Sequence, residues 1–115
     1  AGAIRIALAN AKRAGVADAI DFTQCAVSAI EPPLEKGFLV TNPPYGLRVS
    51  HGKDLRNLYA QLGNVLRLKC PDWQVAMLSA DPQMIRQTGI AFSPLLTTSN
   101  GGVKVQLVMG EVVSK

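Results

Sequence analysis

The sequence is poor in the residues that mark several common protein classes. Charged residues make up 17% of its 115 positions and aromatic residues 5%, whereas 48% are hydrophobic, which excludes an intrinsically disordered chain. No apolar stretch approaches the ~18 residues of a membrane span, and no signal-peptide pattern follows Ala1. We therefore predict no membrane partner and a cytoplasmic location.

Cysteine and histidine are scarce as well. Cys25, Cys70 and the single histidine, His51, show none of the spacings that metal ligands need. We predict no metal site, and we expect both cysteines to be packed, reduced thiols.

A glycine-rich turn between a strand and a helix, the usual signature of a nucleotide-type cofactor in α/β folds, is also missing. The nearest candidate, Asn100-Gly101-Gly102, precedes another strand pattern rather than a helix. The net charge of +4 favours an anionic partner without identifying one. A chain of this length forms one domain, which we assign to residues 1–115.

The hydrophobic pattern predicts an α/β fold. Apolar residues recur at helical spacing over 3–14 and again from Asp54 to a stop at Cys70-Pro71, and Asp81-Pro82 predicts the cap and first turn of a short helix. Strands are predicted at 20–25, 37–41, 74–79, 95–98 and 103–113. Strands separated by helices indicate a mostly parallel sheet, and the Asn-Gly-Gly turn adds a C-terminal antiparallel hairpin.

The motif Asn42-Pro43-Pro44-Tyr45 follows the strand 37–41. Two prolines stop both a helix and a sheet ladder, and each holds the residue before it extended. Asn42 then stands at the carboxyl end of a strand, where ligands bind in open α/β sheets. The Asn42 amide oxygen and the Pro43 carbonyl can accept hydrogen bonds from an exocyclic amine, and Tyr45 offers a face for stacking. A rigid turn without chemistry is the alternative interpretation.

Several segments resemble one family. The motif with its extension Gly46-Leu47-Arg48, the helix ending in Ala14-Gly15-Val16, and the closing hairpin around Asn100 are together similar to the RNA methylase family of S-adenosylmethionine-dependent N-methyltransferases. Within it, the chain most resembles the 23S ribosomal RNA guanine-N2 methyltransferases. The resemblance implies a Rossmann-like class I methyltransferase sheet.

The resemblance also implies roles for particular residues. Asn42, Pro43, Pro44 and Tyr45 would form the catalytic motif, with Asn42 also near the cofactor. Cys25 and Ala26 occupy the place that contacts the cofactor's adenine, where the family usually has an acidic residue. Tyr45, Arg48, Lys53 and Arg56 would contact RNA, although a solvated loop and helix start explain the last three equally well.

Compared with the family, the first strands and the glycine-rich loop are absent from these residues. We therefore expect residues 1–115 to be the C-terminal part of a methyltransferase catalytic domain, acting on ribosomal RNA with S-adenosylmethionine held largely outside this segment. Two alternatives stay open: a fragment of an adenine-N6 DNA methyltransferase, or a non-catalytic module that forms a homodimer through an exposed sheet edge. We assign Tyr59, Trp73 and Phe92 to packing and Asp81 to helix capping.

Overall fold

The computed structural model describes residues 2–44 and 52–113, except for the side chains of 52–54. The chain divides into two compact units, Ala1–Ile30 and Glu31–Lys115. The first contains helix α1 (Gly2–Ala14) and two short 3-10 turns. The second contains strand β1 (Phe38–Thr41), helix α2 (Gly52–Lys69), strand β2 (Gln74–Ser79), helix α3 (Pro82–Gln87), and strands β3 (Phe92–Asn100) and β4 (Val103–Glu111).

Helix α1 forms and ends as its sequence predicts. Ala11 is buried on its apolar face. Gly15 adopts a left-handed conformation (φ 76°), and the amides of Gly15 and Val16 bond back to the carbonyls of Lys12 and Ala11. This is the hydrogen-bond pattern of a Schellman cap, which favours glycine at the left-handed position.

The predicted strand at 20–25 is wrong. These residues have no regular secondary structure, and most of their side chains are exposed. An extended segment becomes a strand only when a neighbour accepts and donates its ladder hydrogen bonds. Among the described residues, the four paired strands are β1 to β4, and none of them pairs with this segment.

The second unit is built on a four-stranded mixed sheet with the order β1-β2-β4-β3. Strands β1 and β2 are parallel, whereas β4 is antiparallel to both of its neighbours. The α/β fold is confirmed, but the sheet is mixed rather than mostly parallel as predicted: among the described strands, β1 and β2 are the one parallel pair. The hairpin is also confirmed: Gly101 (φ 59°) and Gly102 (φ 83°) form the two-residue turn with both φ values positive that matches the strand twist.

One face of this sheet is covered by α2. Val75, Met77 and Ser79 alternate along β2 and are buried, and α2 buries Leu55, Tyr59, Leu62 and Leu66 in a single stripe. A hydrogen bond between Tyr59 and Ser79 joins the two sets. On the opposite face, Phe38 and Val40 of β1 are 67% and 76% exposed.

The helices follow their local signals, with one difference in a boundary. Asp81 caps α3 by accepting hydrogen bonds from the amides of Gln83 and Met84, as predicted. Helix α2 begins at Gly52, two residues before the predicted start at Asp54. Neither these two helices nor α1 is long and apolar enough to cross a membrane, in the part of the chain that the structure describes.

Candidate active site

The carboxyl ends of β1 and β2 form one edge of the sheet. The last β1 pair joins Thr41 to Met77, and β2 continues to Ser79. The chain leaves β1 directly into Asn42, so the proline motif lies at this edge. Because β1 and β2 are parallel, both strands point their ends toward the same side of the unit.

The three described residues of the motif differ in exposure. Pro43 is buried, whereas Asn42 before it and Pro44 after it are exposed. Asn42 is thus held between the ladder residue Thr41 and a proline ring fixed in the core. Within residues 2–44 and 52–113, no hydrogen bond involves the Asn42 amide, whose oxygen can accept and whose nitrogen can donate.

A partly buried hydrogen-bond network supports the motif. The Tyr59 hydroxyl donates to the Pro44 carbonyl at 3.1 Å and lies 3.0 Å from the Ser79 hydroxyl. Ser79 in turn accepts a hydrogen bond from the Asp81 amide at 3.3 Å. This network links the motif to helix α2, to the end of β2 and to the start of α3.

Tyr59 and Ser79 are the residues that sequence reasoning missed at this edge. Tyr59 is buried as predicted, but its role extends beyond packing because its hydroxyl contacts the motif. A signal was available: Tyr59 interrupts a buried stripe of leucines, and a buried tyrosine hydroxyl needs a hydrogen-bond partner. Ser79, at the end of a buried strand, provides such a partner.

The other predicted site residues are placed only in part. Tyr45 and Arg48 lie outside the described residues, as does the side chain of Lys53. Arg56 is exposed on α2, one turn before Tyr59. Its contact with RNA stays a prediction.

The predicted cofactor residues Cys25 and Ala26 belong to the first unit. Both are exposed, which corrects the prediction that Cys25 is packed; it lies in the irregular segment, where no strand pairing buries it. Cys70 is buried as predicted, and neither cysteine forms a disulfide. Ala26 has no side-chain hydrogen-bonding group, so only its backbone can contact a cofactor.

The described groups at the edge suit the positioning of a ligand. They are the exposed Asn42 amide and the backbone carbonyls beside it, held by the end of β1, by the buried Pro43 ring and by the buried Tyr59 phenol. Such groups can accept hydrogen bonds from an amine in a fixed orientation, and fixed orientation alone lowers reaction barriers substantially.

Proteins similar to this chain carry methyltransferase names. Two proteins called ribosomal RNA large subunit methyltransferase K/L, from Shewanella frigidimarina and Shewanella baltica (strain OS155), are 36% and 35% identical to it over 101 residues. The match covers 88% of this chain and 14% of each relative. The chain therefore spans a small part of the length of these proteins.

Solved structures show the same fold. The structure of SMU.472 in complex with SAH, described as a methyltransferase, superposes with a TM-score of 0.81 at 26% identity, covering 97% of this chain and 29% of that one. A predicted N6-adenine-specific DNA methylase from Listeria monocytogenes (str. 4b F2365) has a TM-score of 0.68 at 30% identity, covering 90% and 27%.

A family model gives the most direct assignment. The model named UPF0020, described as the RMKL-like methyltransferase domain, matches residues 1–100. This range includes α1, the proline motif and the strands whose ends form the candidate site. The chain belongs to the UPF0020 family of RMKL-like methyltransferase domains.

Proposed function

We propose that this chain supplies the base-binding side of a methyltransferase site that uses S-adenosylmethionine to methylate an exocyclic base amine, preferentially guanine N2 of 23S ribosomal RNA. The observation that carries the proposal is the position of Asn42. It is exposed at the carboxyl end of β1 and fixed between a paired strand residue and the buried Pro43.

In this proposal Asn42 and Pro43 hold the target amine. The Asn42 amide oxygen and the Pro43 carbonyl each accept one N–H of the amino group, which leaves the nitrogen lone pair to face the methyl group of the sulfonium. The nitrogen attacks the methyl carbon; the new N–C bond forms as the C–S bond breaks, and sulfur keeps the electron pair. The extra proton then leaves to solvent, so the edge needs no strong base. Tyr45 stacks on the extruded base.

The cofactor supplies its methyl group as a sulfonium. The residues present fit the methyl-acceptor side of this reaction, because an exposed amide beside a fixed carbonyl is what an amine requires. For the cofactor side they offer less: Cys25 and Ala26 are exposed, but the Ala26 side chain cannot accept a hydrogen bond from adenine. We propose that backbone groups at these two residues contact the cofactor, and that the remainder of its site lies outside residues 1–115.

The nucleic acid substrate is proposed from the relatives. The Shewanella proteins are named as ribosomal RNA methyltransferases, which favours RNA. The description of the Listeria structure as an N6-adenine-specific DNA methylase favours adenine N6 in DNA as the second candidate. Arg48, Lys53 and Arg56 form the proposed basic rim that meets phosphates beside the extruded base.

The test is methyl transfer by the full-length protein from radiolabelled S-adenosylmethionine to protein-free 23S ribosomal RNA and to duplex DNA. We expect labelled RNA, with the label on guanine N2 after nuclease digestion. Replacing Asn42 by Ala should lower kcat at least ~100-fold, because the amine loses its orientation, while cofactor affinity changes little. Asn57→Ala, at an exposed position of α2, is the matched control and should keep full activity.

Three results would count against this function. Labelled adenine in DNA would replace the substrate with the second candidate. Wild-type turnover by the Asn42→Ala protein would remove the role of the motif. No label in any nucleic acid would favour the third candidate, a dimerising module, for which the outermost strand β1 offers an unpaired edge among the described strands; light scattering would then show twice the mass of one chain.

A further inference from the structure

We propose that Tyr59 is a positioning residue for the motif: its hydroxyl fixes the backbone that presents Asn42 to the target amine. The inference rests on the proposed methyl transfer and adds to it a residue outside the motif. Tyr59 lies 15 residues after Pro44 in the sequence, on a different element, and touches no reacting atom in this assignment.

The burial of Tyr59 indicates that its hydroxyl has a specific task. The residue is 0% exposed, and the other members of the buried α2 stripe are leucines: Leu55, Leu62 and Leu66. A phenylalanine would fill the same space without bringing a polar group into the core, where a hydroxyl is unfavourable unless it is hydrogen-bonded. The hydroxyl meets that requirement through the Pro44 carbonyl and Ser79.

The direction of the hydrogen bonds follows from the groups involved. The Pro44 carbonyl can only accept, so the Tyr59 hydroxyl donates its proton to it. Ser79 can then donate to the Tyr59 oxygen, while the Ser79 oxygen accepts from the Asp81 amide. Hydrogen bonds in such a chain polarise and strengthen one another in a buried environment.

The hydrogen bond from Tyr59 fixes a backbone torsion that the prolines leave open. The pyrrolidine rings lock φ of Pro43 and Pro44, and each proline holds the preceding residue extended. With planar peptide bonds, ψ of Pro44 is the remaining soft torsion of these residues. The direction of the Pro44 carbonyl reports this torsion, and the 3.1 Å hydrogen bond from Tyr59 holds it.

The same contact selects which carbonyl faces the substrate. The Tyr59 hydroxyl occupies one of the two lone pairs of the Pro44 carbonyl and fixes the direction of that oxygen, and we assign the Pro43 carbonyl and the Asn42 amide as the acceptors for the amine. Loss of the Tyr59 hydroxyl would release the Pro44 carbonyl from α2 and loosen the attachment of the segment Asn42-Pro43-Pro44. Small displacements of this kind reduce the rate of a positioned reaction more than they reduce binding.

The experiment measures kcat and KM for ribosomal RNA in the full-length protein carrying Tyr59→Phe. We expect kcat to fall about tenfold, the loss of one well-placed hydrogen bond, with KM unchanged within about twofold. The matched control is Thr88→Val, which removes another buried hydroxyl with two hydrogen bonds at the end of α3. It should lower the melting temperature at least as much as Tyr59→Phe does and leave kcat at the wild-type value.

A second variant separates loss of the Pro44 contact from the effect of a Ser79 hydroxyl whose proton has lost its acceptor. The double variant Tyr59→Phe with Ser79→Ala also removes the Ser79 hydroxyl. If the contact with Pro44 positions the motif, kcat stays low in this variant. Recovery of kcat to the wild-type value would overturn the inference. Equal losses of kcat in Thr88→Val would also overturn it, since the effect would then be one of stability.

The two proposals fail differently. Unchanged kcat in Tyr59→Phe together with an inactive Asn42→Ala protein would refute the role of Tyr59 and leave the proposed function intact. An active Asn42→Ala protein would refute the function itself, and the role of Tyr59 with it.

Discussion

Gly63 of α2 and Thr88 at the end of α3 approach so closely that a Cβ on Gly63 would lie 1.9 Å from the Thr88 carbonyl oxygen. The neighbour is backbone, so it cannot rotate away as a flexible side chain could. The same carbonyl accepts a hydrogen bond from Arg67 Nη1 at 2.7 Å. Two contacts from α2 therefore meet one carbonyl of the α3 terminus and fix how these helices pack.

Replacing Gly63 by Ala should destabilise the protein, although alanine favours helices. Glycine to alanine in a helix interior ordinarily gains up to ~1 kcal/mol, but here the helices must separate and the Arg67 hydrogen bond must stretch. We expect a net loss of about 1–2 kcal/mol in the free energy of unfolding, an overpacking cost of about 1–3 kcal/mol less the gain in helix propensity, measured by urea denaturation. Gly2→Ala, at a helical glycine with nothing within 4 Å of its Cβ position, is the control, and a loss as large there would contradict this explanation.

The Cys70 thiol should make stability fall at alkaline pH. Burial raises the pKa of Cys70, and the nearby Lys69 ammonium opposes this only in part. The unfolded thiol, with a pKa of about 8.5, then loses its proton before the folded one does. The contribution of the Cys70 thiol to the free energy of unfolding is therefore fully present when the pH is below the pKa of the unfolded thiol. It is lost as the pH rises from there through the higher pKa of the folded thiol.

The free energy of unfolding is measured from pH 7 to pH 10 for each variant. The slope of this free energy against pH is then compared between variants. Cys70→Ala should flatten the alkaline decline, whatever its effect at pH 7. Cys25→Ala removes an exposed thiol and should keep the wild-type slope. An unchanged slope in Cys70→Ala would show that other groups produce the decline.

The proposed basic rim predicts a change in salt dependence. Arg56→Ala should weaken RNA binding and reduce the slope of log affinity against log salt by about 0.7–0.9, the contribution of one phosphate contact. Arg86→Ala removes the same charge from an exposed position in the last turn of α3. It should leave the slope unchanged, and equal effects of both variants would indicate non-specific attraction.

Features encoded by adjacent residues could be predicted from the sequence. The bounds of β2, the Asp81 cap and the left-handed Gly15 agree with the structure because each depends on hydrogen bonds or burial within a few residues. The hairpin turn belongs to this group as well. Its two glycines fix both the turn and the pairing that starts beside it.

Features that depend on distant partners could not be predicted in this way. The segment 20–25 has the composition of a strand, but pairing is a property of the neighbour as much as of the segment. Strand β3 extends through Pro94, beyond its predicted length, because it is an edge strand with an irregularity beside Pro94, where proline is tolerated. The contact of Tyr59 with Pro44 likewise joins elements whose relative placement the sequence does not state.

The position of β4 has a consequence for the order in which the site is assembled. This strand follows every other described strand in the sequence and yet lies inside the sheet, between β2 and β3, pairing Val75 with Gly110. During synthesis, β2 can form its hydrogen bonds with β4 only after residues 103–111 have left the ribosome. Contacts at such separation form late, so the strand ends around Asn42 gain their final support only after β4 has been made.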